Sequence, residues 1–210
     1  MADKDHLNLI ITGHIDNGKS TTMGHFLMDL GIVDERTIAA HAKESEETGK
    51  GDSFKYAWVM DNIKDERARG ITIDLAFQKF ETPKFFFTLI DAPGHRDFVK
   101  NMITGASEAD CAVLVLSAKE GETDTAIAAG GQAREHAFLL KTLGVKQIIV
   151  AVNKMDSSKF SEDAYKAVVE KGSQLVKSVG YKIEDVPFIP VSGWTGDNLV
   201  KKSENMPWYK

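Results

Sequence analysis

The sequence predicts an α/β fold: a doubly wound, mostly parallel sheet in a single domain. Three observations predict it. Short β-rich apolar runs alternate along the chain with helical patterns. The runs are apolar throughout, as in strands covered on both faces. A glycine-rich turn joins the first run directly to the first helical stripe.

The strand runs are Leu7 to Ile11, Phe85 to Ile90, Ala112 to Leu116, Ile148 to Val152 and Phe188 to Val191. After the first, Met23, Phe26, Leu27 and Leu30 recur at i, i+3, i+4 and i+7, which lines one face of a helix. A similar stripe of Tyr165, Val168, Val169, Leu175, Val176 and Val179 follows Ser161, a suitable N-cap. Strand, crossover helix and strand, repeated, give the doubly wound topology, with Ile71 to Phe80 as an antiparallel strand on one side. From Asp34 to Gly70 there is no strand pattern. Helix-prone Glu35 to Thr48 is followed by a break at Gly49 to Asp52, then by Phe54 to Arg69. Two readings stand for this insertion: a solvated pair of helices, or a functional excursion of the kind compact domains rarely carry idly.

With 42% hydrophobic and 27% charged residues, the chain can bury one sizeable core and is not a disordered polymer. No apolar run approaches the roughly 18 residues of a membrane span, and the charged start Met1 to His6 has no apolar signal region behind it. No membrane partner and no export are expected. The single Cys111 excludes an internal disulfide and reads as a buried thiol, which fits a reducing cytoplasm. A net charge of −5 and a pI near 5.7 argue against sequence-blind attraction to nucleic acid.

Gly13-His14-Ile15-Asp16-Asn17-Gly18-Lys19-Ser20, followed by Thr21, matches the phosphate-binding pattern G-x-x-x-x-G-K-[ST] between a strand and a helix. Backbone N–H groups of the loop can wrap phosphate oxygens, and Lys19 brings a charge to the β and γ phosphates. Ser20 offers a hydroxyl to Mg²⁺, and the helix adds its positive end. Asp91-Ala92-Pro93-Gly94-His95 ends the Phe85 strand, where Asp91 can hold the Mg²⁺ shell from the other side and Gly94 can offer its N–H to the γ phosphate. Asn153-Lys154-Met155-Asp156 ends the Ile148 strand. The two oxygens of Asp156 can accept the paired N1 and N2 donors of guanine, a pair that adenine lacks. Asn153 can brace the loops and the Lys154 stem can lie on the base, while Ser192-Gly193-Trp194 can aim a backbone N–H at guanine O6. These pieces fall at the carboxyl ends of strands, the ligand crevice of open α/β sheets. They imply a Mg²⁺-dependent domain binding GTP and GDP. Thr72, in Arg69 to Asp74, is either the hydroxyl that joins Mg²⁺ when a γ phosphate is present or a threonine beginning a strand.

These residues resemble the G domain of archaeal and eukaryotic elongation factor 1-alpha, the counterpart of bacterial elongation factor Tu. The resemblance runs through Gly13 to Thr21, Phe54 to Asp61, Glu66 to Asp74, Asp91 to Phe98, Lys100 to Gly105, Asn153 to Asp156 and Asn205 to Tyr209. It implies a single G domain over residues 1–210, with switch I at about 34–74 and switch II at about 91–105. Thr72 then becomes the switch I threonine and His95 the histidine that positions the attacking water, with Ile15 and Ile71 as the apolar gate that holds it back. Hydrolysis that is slow without the ribosome follows from that gate, and His14 is a packed loop residue. Asn17 departs from the family's His or Ser and can retune nucleotide affinity or the gate. Full-length relatives carry two further β-barrel domains and partner aminoacyl-tRNA, the ribosome and an exchange factor. The chain ends at Lys210, near the boundary before those barrels, so an isolated monomeric domain that binds GTP but delivers tRNA poorly is expected. Rival readings are a termination or rescue factor, the GTPase subunit of an ATP sulfurylase, or a nucleotide-binding interaction module with little turnover. The Phe54 to Asp61 and Asn205 to Tyr209 blocks favour the elongation factor.

Overall fold

The structure, a computed structural model, describes residues 4–49, 54–60, 66 and 72–210. Six strands form one sheet: β1 (Asp5–Gly13), β2 (Ala76–Glu81), β3 (Phe85–Asp91), β4 (Cys111–Ser117), β5 (Gln147–Asn153) and β6 (Phe188–Pro190), in the order β2-β3-β1-β4-β5-β6. β2 runs antiparallel to β3 and every other pairing is parallel, as the sequence predicts. The antiparallel strand is shorter than expected. It begins at Ala76, residues 72–75 precede it without strand pairing, and Ile71 lies outside the described residues.

Among the described residues the helices are α1 (Lys19–Asp29), α2 (Glu35–Glu47), α3 (Phe54–Met60), α4 (Val99–Ser107), α5 (Glu122–Ile127), α6 (Gln132–Thr142) and α7 (Glu162–Ser178). Successive residues of a strand point to opposite faces, so the sheet carries two cores. Ile10, Ile90, Leu114 and Val150 face one core, covered by α4, α6 and α7 through Met102, Ala137, Leu140 and Val176. Ile11, Leu89, Val115 and Ala151 face the other, covered by α1 and α3 through Leu27, Tyr56 and Met60. The predicted stripes open these helices where expected: Ser161 Oγ accepts from Ala164 N at 3.3 Å as the N-cap of α7.

The insertion divides along its own length. In α2, capped by Asp34 on Thr37 N at 2.7 Å, only Ile38 and Ser45 are buried, so this helix is the solvated one. α3 is the opposite: Tyr56 to Met60 are all buried, and Tyr56, Val59 and Met60 belong to the second core. Three helices, α4, α5 and α6, give no stripe that the sequence reading found. α6 shows why: its buried face is Ala133, His136, Ala137 and Leu140, too small and too polar to stand out. Cys111 is only half-buried rather than a core thiol, its Sγ 3.9 Å from the Asn8 carbonyl, and burial pushes its thiol up to about 11. The final segment folds back on α7: Met206 is fully buried, Trp208 donates to Phe160 O at 3.1 Å, and the Tyr165 and Tyr209 hydroxyls both donate to Phe188 O.

Candidate nucleotide site

Chain order reverses at β1, which has β3 on one side and β4 on the other, and the predicted motifs meet at the carboxyl ends of the strands around that point. They surround a cleft of 520 Å³, a size suited to a small ligand.

One wall is the loop after β1. Gly18 adopts φ 81° as the N-cap of α1, and Asp16 also takes a positive φ of 61°. That conformation turns successive N–H groups toward one side, which is what an anion-binding loop requires. Ile15, Asp16, Gly18, Lys19, Ser20 and Thr21 all line the cleft. Lys19 is buried, with Nζ donating to His14 O at 3.0 Å, poised at the loop's centre. His14 is packed as expected, and burial first, then Lys19, lowers its imidazole below the ordinary value. Asn17 has no side chain in the cleft. It is 1% exposed, Nδ2 donates to Val115 O on β4 at 2.9 Å, and its carbonyl accepts from Asn153 Nδ2 at 2.8 Å. Its side chain therefore seats the loop on the sheet, and any contact with phosphate from this position belongs to its backbone.

Beside this wall, Ser20 Oγ and Thr72 Oγ1 lie 3.1 Å apart. Thr72 precedes β2 rather than lying in it, so the strand-start reading of this residue fails locally. Glu66 Oε1 accepts from Ile73 N at 2.9 Å and Asp74 N at 3.0 Å, and Asn101 Nδ2 donates to Ile73 O, which together hold the segment that carries Thr72. Asp91 is fully buried and its two carboxyl oxygens have no hydrogen-bond partner among the described residues. Burial lifts its carboxyl to about 6, opposed by Lys19 and the nearby Ser20 and reinforced by Glu66. A buried carboxylate without partners is costly. Two hydroxyls and such a carboxylate are hard oxygen donors, so the set fits Mg²⁺. Gly94 closes this end: a Cβ there would lie 3.1 Å from both Gly13 O and Ile15 N, a tight fit against the loop backbone, and would push aside the Lys19 amino group at 2.4 Å.

The opposite end is built from β5 and the turn after β6. Asn153 is buried and its Oδ1 accepts from Gly193 N at 2.9 Å, which ties the two loops together as predicted. Because Asn153 takes that N–H, Gly193 does not donate to a base. Among the described residues no acceptor takes the Trp194 N–H, which leaves it as this turn's donor. Ser192 is buried and donates to Asp156 Oδ1 at 2.5 Å, which orients that carboxylate. Asp156, Lys154 and Trp194 line the cleft.

Two residues here were missed in the sequence. Glu122 Oε2 accepts from Lys154 Nζ at 2.7 Å and Ser117 Oγ at 2.6 Å, and Oε1 pairs with Lys119 Nζ at 3.0 Å. Partial burial opposes its ionisation, but hydrogen bonds from Lys154, Ser117 and Lys119 hold it at about 2. Lys119 also lines the cleft. Neither belongs to a motif, and no spacing in the sequence marks them.

His95 and Ile15 line the phosphate end. Nδ1 of His95 lies 3.2 Å from Asp97 N and 3.5 Å from Asp97 Oδ2, which holds that edge of the ring toward Asp97. Ile71, the gate's other predicted half, lies outside the described residues.

Residues 4–206 match the family model for the elongation factor Tu GTP binding domain. The chain is 88% identical over 210 residues to elongation factor 1-alpha of Cenarchaeum symbiosum, covering 100% of this chain and 48% of the relative. It is 57% identical over 208 residues to that of Aureobasidium pullulans, covering 99% and 45%. The chain thus spans about half the length of these relatives. Among solved structures, Sup35 complexed with GDP matches with TM-score 0.72 and 34% identity over 100% of this chain and 43% of its own. The GTPase-like domain of S. cerevisiae Ski7 bound to GTP matches with TM-score 0.83 and 25% identity over 99% and 47%. The chain belongs to the elongation factor Tu GTP-binding domain family, and its resemblance within that family is to elongation factor 1-alpha.

Proposed function

We propose that this chain is a single G domain that hydrolyses GTP to GDP and phosphate and acts as the switch of a factor delivering aminoacyl-tRNA to the ribosome. The observation that carries the reading is the convergence of separately spaced motifs on one cleft: the loop after β1, Thr72, Gly94 with His95, and the turns after β5 and β6. Identity of 88% along the whole chain supports the elongation factor over its paralogues. Ser20 and Thr72 would hold Mg²⁺, with Asp91 as a further oxygen donor, and a bound ion would supply neutralisation of charge on the β and γ phosphates. Lys19 turns from the His14 carbonyl to the phosphates, and the Gly94 N–H meets the γ group. His95 Nε2 orients a water whose oxygen attacks the γ phosphorus as the bond to the β-bridging oxygen breaks. Ile15 and Ile71 keep His95 back, so turnover is slow until the ribosome draws it in. Asp156 reads guanine, with the Lys154 stem on the base. Loss of the γ phosphate releases Thr72 and changes the surface that residues 34–74 offer to tRNA, ribosome and exchange factor. The domain is monomeric and cytoplasmic in this reading.

Phosphate release, measured with and without ribosomes, tests the reading. Slow release that rises with ribosomes and falls in His95→Ala supports it; no release under either condition leaves an interaction module. Asp156→Asn should move preference from guanine to xanthine nucleotides, a change of several kcal/mol in order of magnitude, and unchanged GTP affinity would remove Asp156 from the base site.

A further inference from the structure

The buried helix α3 touches the base end of the cleft as well as the core. It crosses α1 at Gly24, where an added Cβ would lie 1.9 Å from the Tyr56 carbonyl, so the two helix backbones meet without a side chain between them. On α1 one turn of contact follows from this. The Tyr56 ring stacks on His25 with centroids 4.1 Å apart and planes 8° from parallel. His25 Nδ1 donates to the Gly193 carbonyl at 2.9 Å, the same residue whose N–H is taken by Asn153. Both sides of the Gly193 residue are thus pinned, one by the β5 motif and one by a histidine that α3 holds flat. Tyr56 also meets Trp194 edge-on at 6.3 Å, and Lys55 Nζ lies 5.2 Å from both ring centroids. Such stacked and cation–π contacts are each worth about 1 kcal/mol when partly desolvated.

We propose that His25 and Tyr56 are positioning residues for guanine recognition, through which α3 braces the turn Ser192 to Trp194. Neither side chain lines the cleft; both act through Gly193 and Trp194. The inference rests on the proposed base-reading role of that turn. Its consequence is that retention of the base depends on α3 staying docked: an insertion that reports on the γ phosphate at Thr72 also supports the opposite end of the nucleotide. Displacing α3 loosens GDP and GTP alike, because the base is common to both.

The test is the dissociation rate of fluorescently labelled GDP and a non-hydrolysable GTP analogue, with unlabelled GDP and 6-thio-GDP, in which sulfur replaces the O6 acceptor, as competitors. Tyr56→Leu and His25→Ala should release both guanine nucleotides about tenfold faster and narrow the preference for GDP over 6-thio-GDP by a similar factor, whereas Tyr56→Phe, which keeps the stacked ring, preserves that preference. Melting temperatures establish that each variant is folded. If Tyr56→Leu does not fold, His25→Gln, which can donate to Gly193 but lacks the stacked ring, carries the same expectation. Wild-type rates in folded variants, or faster release with the preference for GDP over 6-thio-GDP intact, overturn the brace. A wild-type protein with no preference for GDP over 6-thio-GDP overturns instead the base-reading role of the turn on which the brace depends.

Discussion

Ser20 Oγ and Thr72 Oγ1 lie 3.1 Å apart across 52 residues of sequence. Neighbouring corners of an octahedron with metal–oxygen bonds of about 2.1 Å are about 3 Å apart, so the hydroxyls stand at the separation two adjacent Mg²⁺ ligands need. The two are not equivalent. Ser20 lies in the first turn of α1, the next element after β1, while Thr72 hangs on a segment held by Glu66 and Asn101.

Ser20→Ala should therefore weaken Mg²⁺-dependent binding of GDP and GTP together, and Thr72→Ala should weaken GTP alone, by roughly tenfold or about 1.4 kcal/mol. Nucleotide titration with and without EDTA measures both, and an equal loss of GDP affinity in Thr72→Ala would remove its sensing role.

Asn17→Ala deletes a buried donor to the Val115 carbonyl and leaves that oxygen short of a partner. A loss of about 1–3 kcal/mol in stability is expected, seen as a melting temperature several degrees lower, together with weaker nucleotide binding as the loop loses its seat.

Glu122→Ala releases Lys154 and Lys119 from their shared carboxylate. The Lys154 side chain, which lines the cleft, loses its fixed direction, so affinity for GDP and GTP should fall together, by about three- to tenfold. A titration that instead showed a change in the GTP-to-GDP ratio would place Glu122 in the phosphate end.

His136 is buried on α6 beneath the phosphate loop, paired through Nδ1 with Thr12 Oγ1 at 2.7 Å, and its imidazole is held down at about 3 by burial, Lys19 and His14. Its folded value lies below the unfolded one near 6.5, so the fold favours the neutral ring. The penalty is absent above pH 6.5 and grows as pH falls from there toward 3, costing up to roughly 4 kcal/mol. Denaturant melts of the wild type and His136→Gln between pH 7.5 and 4 should show a flatter slope in the variant; parallel slopes would assign acid sensitivity elsewhere.

The sequence by itself determined the sheet, the order of chemistry along it and the ligand class. Phosphate and base are read by short turns at strand ends, and a turn's residues are neighbours in the chain, so the loop from Gly13 to Ser20 and Asn153 to Asp156 are legible as written. Periodicity likewise shows that a segment buries a face, but not what that face meets. Only the tertiary structure decided that α3 enters the core while α2 stays in solvent, that Asn17 turns to Val115, that Ser192 donates to Asp156, and that Glu122 holds Lys154. Each of these is a contact between residues far apart in the chain. Its energy comes from burial and hydrogen-bond geometry that exist only once the elements have packed.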